Sequence, residues 1–441
     1  MALARPVNVA HHARHAPVRR YVLRTLLVLA VLAAGAGVAV LSVGAGGSGK
    51  IQLSVYWWGG KARADITQRV LDLYSAIHPG VTFRTRWQGN SGYYDKLATM
   101  ASGGTAPDLF QLDDNGLTQY AGRNVTLDLT PYVGGQIRVD EFPVPLQQAG
   151  TVNGRTAGVA AAENTAALVF DRTAIRQLGL AVPDATISWQ GLVDWAAQVY
   201  ARSGGKRYGM MNPAADYKVL QVWLRQQGKD LYQGGNLGFT AADLTRWLQF
   251  WADAAARHAT PPGDIVHVAN AGDVTRQLVV TGQAAISFMW SNQLEEMQKS
   301  TAHELGLATY PGSPTGQWLR ASMYWAGYRH TKHADTVADV INFLVNNLDA
   351  GRLLGAERGL APNLNIRSQV APLLTAPMQD SVAFETSMAA EFGKPPAPPP
   401  AGHAQIRAQL TQAAESVEFA TATPAGAAAR FFAQAKVILS S

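Results

Sequence analysis

Leu53, Val55 and Trp57 alternate with Gln52, Ser54 and Tyr56. That two-residue period predicts a strand over Gln52–Trp58. Gly59-Gly60 closes it. The helical spacing of Ile66, Val70, Leu73, Tyr74 and Ile77 then predicts a helix over Lys61–His78, stopped by Pro79-Gly80. Val81–Trp87 alternates again, and Tyr93–Ser102 reads as a helix capped by Gly103-Gly104. Pro107–Asp114 reads as a third strand ending in two carboxylates. A β-α-β-α-β run of this kind predicts a parallel sheet.

The pattern loosens to about Asp140, and Asn153-Gly154 signals a turn. Thr156–Asp171 is a nearly continuous small and apolar run broken by Glu163-Asn164-Thr165. A polar triplet inside a buried strand needs partners, which suits a crossing between two lobes with Asn164 at the cleft. From Arg172 to Thr281 the spacing is mostly helical. Ser188 is placed to cap a helix over Trp189, Leu192, Val193, Ala196 and Val199. Tyr217–Gln227 and Ala241–His258 are further helices, whose Trp223, Trp247 and Trp251 are assigned to the core. Ala284–Trp290, Leu305–Tyr310 and Ala321–Tyr328 are predicted strands. Ser291–Lys299, Ala334–Asn347 and Ala350–Ala356 are predicted helices. Lys394–Pro400 is a proline-rich surface stretch, read as a semi-rigid loop before two final helices.

The chain has 441 residues, too many for a single core, so two lobes are expected. Residues 1–25 hold Arg5, Arg14, Arg19, Arg20 and Arg24 and no acid, and Leu26–Ala45 is apolar and uncharged. About 20 such residues can span a bilayer. Residues 1–50 therefore read as an export signal or an uncleaved anchor, placing the rest outside the cytoplasmic membrane. Val43-Gly44-Ala45 suits cleavage, and Arg19-Arg20 loosely fits a twin-arginine signal. Removing those five positive charges from the net +6 leaves +1 for the body, which gives no support to a nucleic-acid partner. The absence of cysteine excludes disulfides, thiolate metal sites and a lipid-bearing cysteine anchor.

No catalytic motif emerges. There is no phosphate-cradling glycine loop, no zinc-peptidase histidine pair after His303-Glu304, and no Gly-x-Ser-x-Gly elbow. Asp113-Asp114-Asn115-Gly116 lacks the spacing of a calcium loop and reads as a turn. No metal and no cofactor are expected. Aromatic residues and carboxamides do gather at strand ends, where open α/β sheets bind ligands. Trp57, Trp58, Trp87, Tyr93, Trp290, Tyr324 and Trp325 are the aromatic candidates; Asp113, Asn164, Asn292 and Gln293 are the polar ones. An aromatic face suits the C–H face of a sugar, and a carboxylate or amide bonds two neighbouring hydroxyls. Because a strand sends alternate residues to opposite faces, Trp57 and Trp58 are not both expected to be hidden.

These pieces together resemble extracellular solute-binding proteins of family 1, the carbohydrate-binding subunits of ABC importers, in plan like maltose-binding protein. The resemblance rests on Val55–Gly60, Ala101–Leu109, Tyr120-Ala121-Gly122 with Leu127–Tyr132, Asn164–Asp171, Trp223–Lys229, Trp290-Ser291-Asn292 and Gly355–Gly359. It implies an α/β, two-lobed periplasmic-binding-protein-like fold (type II) with hinge crossings, preceded by the apolar N-terminal helix. Crossings at Glu163–Thr165, near Ser287–Trp290 and near Asn346 give one lobe from 51–162 and 289–345 and another from 163–288 and 346–441. The resemblance also implies sugar contacts at Trp57-Trp58, Asp113 and Asn164. It implies a monomer that delivers a sugar or oligosaccharide to an ABC permease, with the membrane reached through residues 26–45 if these are uncleaved. Two other readings stay open. One is an exported glycoside hydrolase or lyase using Asp113 and Glu163, which requires the two carboxylates about 5–10 Å apart. The other is a lipid or peptide receptor on the same scaffold.

Overall fold

The computed structural model describes residues 50–184, 186–270 and 274–440. The expected export or anchor segment lies outside the described residues. Among those described, no helix is long and apolar enough to cross a membrane.

The strands are β1 (Ile51–Trp58), β2 (Val81–Gln88), β3 (Leu109–Leu112), the short β4 (Thr151–Val152) and β5 (Arg155–Thr156), β6 (Val159–Asn164), β7 (Ala166–Asp171), the short β8 (Tyr232–Gln233) and β9 (Asn236–Leu237), β10 (Ile286–Trp290), β11 (Leu305–Ala308) and β12 (Arg320–Gly327). Two sheets matter. The first runs β2-β1-β3-β12-β6, and the second β10-β7-β11. β1 pairs in parallel with β2 and β3, as the alternating βα pattern requires. β12 then joins β3 and β6 antiparallel, so the first sheet is mixed.

Helices cover both faces of the first sheet. Tyr93, opening the helix Tyr93–Ser102, stacks on Tyr56 of β1 with ring centroids 4.5 Å apart. On the other face, Gln111 of β3 reaches Arg358, which bonds Thr67 in the helix Lys61–Ile77. One core gathers Leu53, Val55, Val70, Phe110, Val340 and Ile341; a second gathers Leu168, Phe170, Leu192, Trp247, Trp251 and Phe431. The two cores define two lobes.

The third strand is shorter than expected. It stops at Leu112, and Asp113 instead caps the helix Asp114–Gly122, its carboxylate accepting from the Gly116 N–H at 2.7 Å. Backbone N–H groups left free at a helix start recruit such a side chain.

The chain passes from the first sheet to the second inside the polar triplet. Thr165 alone separates β6 from β7. Its N–H donates to Ser291 Oγ at 3.1 Å and its hydroxyl to the Trp318 carbonyl at 3.0 Å. The other two crossings are corrected. Ser287–Trp290 lies inside β10, paired along its length with β7 of the second lobe. The chain returns to the first lobe between Trp318 and Arg320, where β12 begins. Asn346 is no crossing either: its amide donates to the Arg138 carbonyl at 2.8 Å, and the helices Ala334–Asn346, Leu348–Leu354 and Leu364–Val370 stay with the first lobe. The third passage lies between Leu364–Val370 and Ala376–Met388, the latter packing on β11. The lobes are therefore 51–164 with 320–370, and 166–319 with 376–440. Periodicity identified these segments as strands and helices; which sheet each joins is set by long-range pairing, which leaves no local mark.

Candidate ligand-binding cleft

Between the lobes lies a cavity of about 1170 Å³. The first lobe contributes Asp113, Asp114, Arg320 and Tyr324, the second Asp216, Tyr217, Lys218 and Trp290. The proline-rich stretch and the start of the helix His403–Glu418 close one side.

Asp113 is held in three ways. It caps its helix, accepts the Tyr94 hydroxyl at 2.7 Å, and returns its own N–H to the same oxygen at 2.8 Å. Asp114, one residue on, accepts Arg320 Nε at 2.6 Å and the Tyr324 hydroxyl at 2.8 Å. Burial and the Asp114 charge both push the Tyr324 hydroxyl well above its ordinary pKa, so it remains a donor. Arg320 also donates to Asn164 Oδ1 at 3.2 Å, and its guanidinium lies 4.5 Å from the Trp290 ring centroid. Lys218 stands 5.6 Å from the same ring, pairs with Asp216, and donates to the Phe288 carbonyl at 3.2 Å. Trp290 is thus fixed between two cations, each with a carboxylate partner.

In the second lobe His403 is buried, and its Nδ1 meets the Tyr232 hydroxyl at 2.6 Å. Burial, reinforced by Arg407, drives the His403 pKa down to about 3. The ring is neutral, so it shares a single proton with the Tyr232 hydroxyl contact rather than carrying a charge into the cleft wall. Arg407 spreads 4.5 Å from the Tyr217 ring centroid. Among the described residues no group of His, Asp and Glu could hold a metal ion.

Of the expected contact residues, Asp113, Trp290, Gln293 and Tyr324 line the cleft. Asn164 and Asn292 lie directly behind, the first donating to the second at 3.0 Å. Trp58 is one layer further back. Its ring meets Tyr93 edge-on at 5.0 Å and Tyr94 at 5.9 Å, and Tyr94 holds Asp113. Trp57, Tyr93 and Trp325 are corrected to the core of the first lobe, with 1%, 0% and 2% exposure. Tyr93 spends its hydroxyl on the Gln111 carbonyl at 2.8 Å. Trp87 is exposed on the edge strand β2, in register with Trp57, and does not line the cleft. Trp57 and Trp58 are both hidden because helices cover both faces of the sheet, a condition alternation does not encode.

The proposed carboxylate pair is also corrected. Glu163 is 1% exposed, bonds Arg367 at 2.9 Å, and is absent from the cleft walls. Its carboxylate is turned onto Arg367 and does not share the cleft with Asp113. Residues that the pattern did not single out, namely Asp114, Arg320, Tyr217, Lys218, His403 and Arg407, make up much of the lining. The available signal was Asp216, which caps the helix Tyr217–Arg225, but a helix start does not announce which cavity it faces.

A family model for bacterial extracellular solute-binding proteins matches residues 70–385. The chain belongs to that family. This solute-binding protein is similar in fold to several solved structures. Extracellular solute-binding protein family 1 from Alicyclobacillus acidocaldarius is 24% identical, over 89% of this chain and 99% of that one, with a TM-score of 0.72. A periplasmic oligogalacturonide-binding protein from Yersinia enterocolitica, in complex with saturated digalacturonic acid, is 21% identical over 88% and 99%, with a TM-score of 0.75. The cyclic α-maltosyl-1,6-maltose binding protein from Arthrobacter globiformis is 19% identical over 89% and 99%, with a TM-score of 0.70. The two-lobed α/β architecture expected of a solute-binding protein is the one found.

Proposed function

We propose that this solute-binding protein captures a sugar or oligosaccharide outside the cytoplasmic membrane, by closure of its lobes, and passes it to an ABC permease. The observation that carries the reading is the cleft itself. Asp113 and Tyr324 from one lobe and Trp290, Asp216 and Lys218 from the other line one cavity of about 1170 Å³. That exceeds the range of roughly 300–1,000 Å³ usual for a small-molecule pocket and leaves room for more than one sugar ring. Two of the similar structures are named for binding oligosaccharides, which supports the same ligand class here.

The mechanism follows from groups standing on both lobes. A ligand bonded by Asp113 on one side and by the Trp290 wall on the other interacts more strongly with the closed state than with the open one. That difference supplies the population shift. Contact with one lobe alone would supply none. The basic and apolar residues 1–50 act as the export signal or anchor, and the monomer meets its permease in the closed form. Asp113 and Asn164 stay in the proposed contact region, Asn164 acting through Arg320.

Calorimetric and thermal-shift titration with mono-, di- and oligosaccharides tests this. A carbohydrate that raises the melting temperature and is recovered intact is the expected result. No response to any carbohydrate, or turnover of the bound sugar, would remove the reading.

A further inference from the structure

Arg358 is a guanidinium buried without a carboxylate. It is 5% exposed, in the segment after the helix Leu348–Leu354. Its Nε donates to Gln111 Oε1 at 2.9 Å and its Nη2 to Thr67 Oγ1 at 2.8 Å. The Trp325 ring lies 5.1 Å below it. All three partners are neutral. The charged neighbours Arg63 and Glu357 pair with each other at 2.9 Å and leave the Arg358 charge uncompensated. Burial, and after it Arg63, act against the charged form, while Glu357 opposes them only in part. Yet a guanidinium does not release its proton in a protein. A buried charge of this kind needs a counter-charge.

The surroundings offer donors without acceptors. Among the described residues Arg358 Nη1 has no hydrogen-bond partner, and neither do Gln111 Nε2 and Trp57 Nε1. Gln111 faces Trp325 in the β3–β12 register, and Trp57 follows the β1–β3 pairing on the same side of the sheet. Arg358 and Trp325 line a cavity of about 20 Å³ whose other walls include Leu344, Val345, Leu354 and Ile366. That is room for one water or one small ion. A buried water asks for two to four polar partners, whereas the lining side chains here are apolar or aromatic except for the one charged group, Arg358. An anion needs chiefly the charge.

We propose that this cavity binds a single small monovalent anion of chloride size, held by Nη1 of Arg358. The anion completes a brace at the hinge. The Arg358 carbonyl accepts the Ser322 hydroxyl of β12, and Leu360, two residues on, exchanges backbone hydrogen bonds with Glu163 at 2.8 and 2.9 Å. Neutralising Arg358 therefore stabilises the loop that clamps the last residues of β6, on the lobe-1 side of the first crossing. This holds whatever ligand the cleft takes.

The test is a crystal of the unaltered protein soaked in sodium bromide, measured at the bromine absorption edge, alongside melting curves in sodium chloride and in sodium gluconate at equal ionic strength. The proposal expects an anomalous peak within hydrogen-bond reach of Arg358 Nη1 and a melting temperature a few degrees higher in chloride. In Arg358→Met, if it folds, the chloride dependence disappears. A cavity holding water only, or no bromide peak there, overturns the proposal. So does a bromide peak with identical melting in the two salts, which marks an adventitious ion only.

Discussion

Arg320 donates to the Asp114 carboxylate at 2.6 Å, and the same guanidinium lies 4.5 Å from the centroid of the Trp290 ring. Asp114 opens a first-lobe helix, and Trp290 ends a second-lobe strand. One side chain thus ties the two cleft walls together at the second crossing. Burial works against the Arg320 charge, but Asp114 foremost and Tyr217 next to it outweigh that and raise its pKa.

Arg320→Met should therefore do two things. Breaking a pair this buried leaves Asp114 uncompensated and costs about 3 kcal/mol of stability, read by denaturant unfolding. It also frees Trp290 and should weaken ligand binding by roughly tenfold or more, about 1.4 kcal/mol, read by calorimetry. Asp114→Asn keeps a hydrogen-bond acceptor and should fall between this variant and the unaltered protein. An unchanged affinity in both would detach this pair from the site.

Trp290 and Trp325 separate recognition from packing. Trp290→Ala should lower carbohydrate affinity about tenfold while the circular dichroism spectrum stays that of the folded chain. Trp325 is 2% exposed, so Trp325→Ala should cost about 3–5 kcal/mol of stability, with the folded fraction binding as before. The reverse pattern would exchange their roles.

His403 gives a pH signature. Its folded pKa, about 3, lies below the ordinary 6.5, so the unfolded chain takes the proton first. Stability is then complete above about pH 6.5 and declines as the pH falls toward 3, by an amount on the order of 5 kcal/mol. Denaturation series across that window should show the decline, and His403→Gln should flatten it. Ligand affinity should stay level from about pH 8 to 6, since the ring is neutral throughout. A rise in stability on acidification would contradict the buried neutral histidine.

Gly359 sits at φ +121°, and a Cβ there would fall 2.4 Å from the Glu163 carbonyl oxygen. Gly359→Ala must strain the backbone and push the loop off the first crossing. A loss of about 1–3 kcal/mol is expected in thermal unfolding. An alanine variant as stable as the parent would show that this contact is not a close one.

The local order of strands and helices was written in spacing. The βαβ run from Ile51 to Leu112, the helix capped by Ser188 and the crossing at Glu163–Thr165 all follow from periods of two and 3.6 residues and from a polar triplet that needed partners. The place of Asp113 on the cleft wall was legible because the carboxyl ends of strands in a parallel βαβ run open onto the crevice of the sheet. The partners that meet it were not. Arg320, Lys218 and His403 are separated from Asp113 by hundreds or scores of residues, and nothing in their own neighbourhoods encodes that approach. The depth of Trp57 was not legible either, because it depends on which helices return to cover each face of the sheet. Sequence alone determined the class of scaffold, since periodicity and turn chemistry act between near neighbours, and its motifs carried the resemblance to the family. Tertiary structure decided the lobe boundaries, the cleft walls and the uncompensated charge of Arg358, since burial and long-range pairing belong to the folded chain as a whole.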